Sequence, residues 1–227
     1  EYIANLMNGL NSRFAGVTDP RAFYMLRENT NGTIRGIKPN KGASGLVTAD
    51  QPQSFWGQAF SSAAAPVSDA TCRYIFKNGS PFPIITASEN KFMLAEAYFR
   101  KGDMASARAA YTEGISLNID HLNTDYSSGV PAPRLITQAA KSAFLANPTV
   151  VPSTAALSLS HIMLQKYIAL YGFGMHETWV DMRRFHYTDI DAKTGAQVYA
   201  DLVMPTGIDL FINNSGKYTY RARPRYN

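Results

Sequence analysis

The longest stretch of helical periodicity in the sequence runs from Thr86 to Tyr187. Apolar residues recur there three or four positions apart, which places them on one face of an α-helix. A first helix is predicted to begin after Thr86, because Thr86 and Glu89 have the spacing of a capping box. The segment Lys101-Gly102-Asp103 predicts a tight break. A second helix then carries small and apolar residues at spacings of four, namely Ala107, Tyr111 and Ile115.

The same pattern predicts three further helices. One is predicted over residues 135–146, where Asn147-Pro148 ends it. A longer helix is predicted to be capped by Ser153 or Thr154 and to run through Tyr171. Two glycines then interrupt the helical pattern. The last helix places its large residues on one seam, namely Met175, Trp179, Met182 and His186.

The flanks of this helical region have a different pattern. Residues 1–15 have apolar positions at helical spacing and predict the end of a helix. Residues 30–85 are rich in Gly, Ser, Asn, Pro and Ala, which predicts long irregular loops with short strands. After residue 187, a turn at Thr194-Gly195 is predicted between short extended segments. The fold class predicted is therefore mainly α, with helix hairpins, long irregular loops and short β segments.

The composition is sufficient for a buried core and excludes several classes of protein. Apolar residues make up 45% of the 227 residues and charged residues 17%, which is typical of a globular chain. The net charge is +5, but the basic residues are not concentrated on one helix, so no nucleic-acid partner is predicted. The single cysteine, Cys72, excludes an intramolecular disulfide. The sequence contains neither a signal peptide nor an apolar run of transmembrane length.

No motif predicts a catalytic centre, a cofactor or a resident metal. The glycine-rich stretch 32–45 lacks the Gly-Lys-Ser or Gly-Lys-Thr of a phosphate-binding loop. The histidines do not share the spacing of metal ligands. Asp189-Ile190-Asp191 does not continue as a calcium-binding loop, which leaves only a surface Ca²⁺ open.

The last predicted helix combines charged residues with a tryptophan. Glu177 and Asp181 could share one helix face as an acid/base pair, but beside Arg183 and Arg184 they favour a structural ion-pair set that holds the last two helices together. Trp179 lies on the helical seam and is predicted to belong to the core. Its spacing of four from Arg183 suits a cation–π contact.

Several segments resemble one known family in their order and spacing. Residues 85–115 carry Ala95-Glu96-Ala97, then the glycine turn, then Tyr111-Thr112-Glu113-Gly114-Ile115. Further segments read LQKYIALYGFGMHETWVDMRR, TDPRAFYML followed by GTIRGI, and RARPRYN at the end. Together they resemble the C-terminal part of the SusD-like (SusD/RagB) nutrient-binding lipoproteins of the bacterial outer membrane, over about residues 18–227. The helix hairpin itself resembles one tetratricopeptide unit, with Gly102 in the turn.

The resemblance implies a fold, a function and a place in the cell. It implies a single SusD-like domain over residues 1–227, with a loop-rich part at 1–85, helix pairs at 86–187 and an irregular segment at 188–227. It implies a non-enzymatic, cell-surface protein that binds oligosaccharides without turnover and works with a SusC-like TonB-dependent outer-membrane transporter. The N-terminal helical half and the lipid anchor of such proteins are expected to lie outside this sequence.

Residues on the loops are the candidates for ligand binding. Trp56 leads, because an exposed indole stacks on the apolar C–H face of a sugar ring, and loops on a rigid scaffold often carry function. The alternative for Trp56 is a packing role between the loops and the helices. Tyr24, Arg35, Tyr74 and Asn78 are further candidates for the same surface.

Two other functions stay open from the sequence. A helical-repeat scaffold would bind a protein or peptide partner on its concave face and would need no sugar. A glycoside hydrolase would need two carboxyl groups placed across a cleft, and the sequence shows no such arrangement.

Overall fold

The computed structural model describes residues 1–38, 42, 45–53, 69, 72–210 and 216–217. Seven α-helices account for most of the regular structure in these ranges: α1 (Tyr2–Met7), α2 (Ala22–Met25), α3 (Ala87–Lys101), α4 (Met104–Asp125), α5 (Gln138–Ala146), α6 (Leu159–Leu170) and α7 (Met175–Arg184). Short 3-10 turns lie at Ser12–Phe14, Thr48–Asp50, Tyr74–Phe76, Ala132–Arg134 and Gly207–Asp209. The predicted mainly α class is confirmed.

Local signals in the sequence fix the hairpin of α3 and α4. The Thr86 hydroxyl accepts a hydrogen bond from the Glu89 backbone N–H at 3.1 Å and so caps α3. Gly102 ends the helix in the left-handed region at φ 81°, where glycine has no steric penalty. One residue later, the Asp103 side chain accepts from the Ser106 N–H and caps α4. The chain therefore reverses within two residues, as the sequence predicts.

A close approach of the two helices depends on Gly114 of α4. A Cβ atom on Gly114 would lie 3.0 Å from ring carbons of Phe92 on α3. The Ser88 hydroxyl donates to the Gly114 carbonyl at 2.7 Å, and Phe92 packs edge-on against Tyr111 with ring centroids 6.2 Å apart. The glycine lets the two backbones approach while the aromatic rings fill the remaining space.

Replacing Gly114 by leucine is expected to lower the free energy of unfolding by about 1–3 kcal/mol, because the side chain displaces Phe92. Leucine is a better helix former than glycine, so helix propensity opposes this loss. Urea denaturation followed by circular dichroism measures the change. Ala109→Leu, at an exposed position on the same helix, is the control. A G114L protein as stable as the wild type would contradict the packing argument.

Helix α6 lies at the centre of the fold and begins later than predicted. Its residues are buried except for Leu159 and Tyr167, and it packs against α3, α4 and α7. The predicted cap at Ser153 or Thr154 was wrong. The Ser153 carbonyl accepts from the N–H groups of two following residues in a separate turn, and the helix begins only after Ser158. A capping box joins Ser158 to the histidine at position 161.

A buried arginine connects the N-terminal segment to the helices. Arg21 is fully buried, and its guanidinium donates to both carboxylate oxygens of Asp19, at 2.9 and 2.5 Å. It also donates to the side-chain oxygens of Asn118 on α4, at 2.8 Å, and Gln165 on α6, at 2.5 Å. We call these four residues the Arg21 network. Its hydrogen bonds satisfy a charge that would otherwise be costly to bury.

Extended structure is sparse in the described ranges. The predicted turn after residue 187 is present: Gly195 has φ +68°, and one antiparallel bridge joins Ile190 to Gln197. In the N-terminal segment, α1 ends at Met7, before the end of the predicted helical pattern. None of the described helices combines the length and the apolar character needed to cross a membrane.

Candidate functional site

The first cavity of interest is a cleft of about 870 Å³ between the loop at 28–35 and the segment at 133–140. We call it the polar cleft. The residues that give it its character are Glu28, Asn31, Arg35, Asp50, Arg134 and Leu135. Most of them lie on loops, so the shape of the cleft depends on how those loops are held.

Asn29 holds the loop that forms one wall of the polar cleft. It is 5% exposed, and its side-chain oxygen accepts from the backbone N–H groups of Asn31 and Thr33, both at 3.0 Å. The same oxygen accepts from the Thr33 hydroxyl at 3.1 Å. Asparagine is suited to such turns because its short amide side chain forms hydrogen bonds with nearby backbone groups. The loop is thus locally fixed, with the Asn31 side chain on its exposed side.

Both arginines that line the polar cleft are paired with carboxylates of the cleft. Arg134 pairs with Glu28 at 2.7 Å, and Arg35 lies 3.6 Å from Asp50. The Asn31 amide also donates to Asp50 at 2.8 Å. The two arginine side chains are 48% and 49% exposed, and ion pairs this exposed are weak enough to exchange for a ligand. The cleft therefore offers polar groups with little net charge, which suits a neutral ligand rich in hydroxyls.

A second cavity, of about 760 Å³, lies between α7 and the segment at 75–82. We call it the aromatic groove. Its main lining residues are Phe82, Tyr167, Tyr171, Met175, Trp179 and Met182. Asn78, Ser80 and Thr178 add polar groups. No described residue lines both cavities.

Trp179 lies at the surface of this groove, so its predicted place in the core was wrong. The side chain is 48% exposed. Its predicted contact with Arg183 is confirmed, since that guanidinium lies 4.8 Å from the ring centroid. The inward side of α7 is instead occupied by Asp181, which forms an ion pair with Lys166 of α6 at 2.6 Å. A buried ion pair thus turns the apolar seam of α7 outward.

The ion-pair set on α7 is only partly the predicted one. Arg184 bonds both Asp181, at 2.8 Å, and Glu96 of α3. Because Asp181 also pairs with Lys166 of α6, these four charged residues connect α3, α6 and α7. Burial raises the pKa of the Glu96 carboxyl, but hydrogen bonds and charges from Arg184 and Arg100 outweigh it and hold that pKa below its ordinary value. The other two predicted members, Glu177 and Arg183, lie on the exposed side of α7.

The predicted site residues fall in different places. Arg35 lines the polar cleft and Asn78 the aromatic groove. Tyr24 is fully buried in the core, where it donates to Asn123 at 3.0 Å, so its ring has no exposed face for a ligand. Trp56 lies outside the described residues.

Tyr74 is also placed away from the expected surface. Its ring is 8% exposed and is covered by the guanidinium of Arg73 at 5.1 Å and the ammonium of Lys77 at 4.9 Å. It packs against Phe23 and Tyr24 as well, with both ring-centroid distances at 5.9 Å. Tyr74 is therefore a packing residue beneath the loops and presents no ring face to solvent.

Comparison with known proteins identifies the family. A family model described as starch-binding and associating with the outer membrane, SusD-like, matches residues 4–209. The chain belongs to the SusD-like family. The family description is of starch-binding proteins that associate with the outer membrane, which supports the predicted glycan binding and outer-membrane association. No curated protein and no solved structure gives a significant match.

The polar cleft contains residues that sequence reasoning missed. Glu28, Asp50 and Arg134 had no distinguishing motif, and Arg134 reaches the cleft from a segment about a hundred residues away along the chain. The Asn29-x-Asn31-x-Thr33 spacing is a local signal that could have indicated a fixed turn. Within the described ranges, no three His, Cys, Asp or Glu side chains come together as metal ligands.

Proposed function

We propose that this SusD-like chain binds neutral oligosaccharides at the cell surface, without turnover, as the capture component of a TonB-dependent nutrient uptake system. The observation that carries the proposal is the family match over residues 4–209, with its starch-binding description. A SusC-like transporter is the expected partner, and the protein is expected to be anchored to the outer membrane by an N-terminal lipid.

The polar cleft supports the choice of a neutral sugar. Starch carries no charge, and the ion pairs Arg35–Asp50 and Arg134–Glu28 leave little net charge in the cleft. Paired arginine and carboxylate groups present donors and acceptors side by side, as neighbouring sugar hydroxyls require. We place Trp56 as a stacking surface for the same ligand, and Arg35 as a hydrogen-bond donor to it.

Calorimetric titration with maltoheptaose tests this proposal. Arg35→Ala is expected to raise the Kd about tenfold, about 1.4 kcal/mol, because the sugar loses a charged donor. Lys101→Ala, at the exposed C-terminal end of α3, is the matched control and should leave the Kd unchanged. The cleft assignment fails if R35A binds as tightly as the wild type. The function itself fails if neither neutral nor acidic glycans bind.

Two further measurements address turnover and the partner. Incubation with maltoheptaose should release no new reducing ends, and a rising signal would instead indicate a glycoside hydrolase. Affinity purification of the full-length protein from outer membranes should recover a TonB-dependent transporter. If a transporter is recovered but no glycan binds, the alternative scaffold function gains support.

A further inference from the structure

The aromatic groove has features of a binding site that the polar cleft does not share. It contains two large exposed aromatic side chains, Phe82 at 72% and Trp179 at 48% exposure. Large aromatic side chains usually bury most of their surface, so two of them on one concave surface need a physical reason. The two cavities also use separate elements, so the groove is not an extension of the cleft.

Both exposed rings are held in place by their neighbours. Arg183 lies over the Trp179 ring at 4.8 Å. Phe82 packs edge-on against Phe173 with ring centroids 6.3 Å apart, and Phe173 in turn stacks on Tyr126 at 5.6 Å. Rings that are already ordered lose little conformational entropy on binding. They therefore form a preorganised apolar surface of the kind that stacks against a flat ligand.

The groove has few polar groups, and those that are available to a ligand are uncharged. The ammonium of Lys77 is engaged, because it donates to the Ser128 carbonyl at 3.1 Å and lies over the Tyr74 ring. Asn78 is exposed, and Thr178 lies beside Trp179 on α7. No carboxylate lines the groove among the described residues. An amide and a hydroxyl beside two fixed rings suit a neutral ligand with an apolar face and hydroxyls at its edge.

We propose that the aromatic groove is a second saccharide-binding site, at which a pyranose ring stacks on Trp179 while Asn78 and Thr178 bond its hydroxyls. This inference rests on the proposed function, because it takes the ligand to be the same neutral glucan. A long glucan that reaches both cavities binds more tightly than either cavity alone allows, because the second contact is intramolecular. A short oligosaccharide occupies the two cavities independently.

The emission of Trp179 provides a direct test, since the chain has two tryptophans. In a Trp56→Phe protein, Trp179 is the only indole, and its emission is expected to change saturably on titration with maltotriose. Trp179→Ala is expected to weaken binding of soluble amylose about tenfold, which corresponds to the loss of about one stacked ring. Val180→Ala is the matched control, because Val180 is also exposed on α7, at 56% against 48% for Trp179, but does not line the groove.

The outcomes separate this inference from the proposed function. If the wild type binds glucan with sensitivity to Arg35→Ala while Trp179 emission and the W179A affinity stay unchanged, the groove is not a saccharide site and the proposed function stands. If the wild type binds no glucan at all, both proposals fail. If Trp179 responds to an apolar dye but not to sugar, the groove takes an apolar partner and the second saccharide site is overturned.

Discussion

Replacing Arg21 by methionine is expected to lower the free energy of unfolding by about 3–5 kcal/mol. The substitution keeps a long apolar stem but removes the guanidinium that bonds Asp19, Asn118 and Gln165. Asp19, itself 4% exposed, would then be a buried carboxylate without its cation. The cost comes mainly from that uncompensated charge rather than from lost packing.

Urea denaturation at neutral pH measures this effect. Arg35→Met, at a half-exposed arginine, is the matched control and is expected to change stability by no more than about 0.5 kcal/mol. The double variant Arg21→Met with Asp19→Asn should recover part of the loss, because it removes the stranded charge. Equal stabilities of R21M and R35M would mean that the Arg21 network contributes nothing beyond an ordinary surface arginine.

A second large effect is expected from the histidine that caps α6. Burial, together with the positive charges of Arg13 and Lys193, lowers the pKa of the His161 imidazole to about 3. In the unfolded chain the His161 imidazole takes up a proton near pH 6.5, whereas in the folded protein it stays neutral at that pH. Below that pH the unfolded state is therefore favoured, and the free energy of unfolding falls by up to about 1.4 kcal/mol per pH unit until the folded pKa is reached.

His161→Gln isolates this contribution. Glutamine suits the third helical position of a capping box with Ser158 but has no titrating group. Wild-type stability is expected to decline by about 1.6 kcal/mol between pH 6.5 and pH 5 from this residue alone, and the decline should be shallower by that amount in H161Q. Chemical denaturation at each pH gives the two slopes. Parallel slopes would show that His161 is protonated as easily in the folded protein as in the unfolded chain.

Helix ends were predictable where one local signal decides them. Thr86, Gly102 and Asp103 specify the α3–α4 hairpin through contacts within a few residues. The start of α6 was not predictable in this way, because Ser153 and Ser158 both have a suitable hydroxyl. Burial of Ser158 and its bond with a histidine, which is unusual in a capping box, determine which serine begins the helix.

The candidate site was less accessible to sequence reasoning than the fold. Periodicity correctly placed Met175, Trp179 and Met182 on one side of α7, and all three line the aromatic groove. It could not say whether that side faces inward, because the orientation is set by the Lys166–Asp181 ion pair between two helices. Arg134 reaches the polar cleft from a distant segment, a placement that only the tertiary fold determines.

The Arg21 network also has a consequence for the order in which the chain is made. Gln165 follows Arg21 by 144 residues, so Arg21 leaves the ribosome long before its last partner exists. At ordinary rates of synthesis the interval is roughly 7–30 s. During that time the Arg21 charge has to stay hydrated, and the segment that carries it remains undocked. Insertion of this arginine between α4 and α6 is therefore a late, long-range step of folding, and the polar cleft, which includes Asp19, is completed only with it.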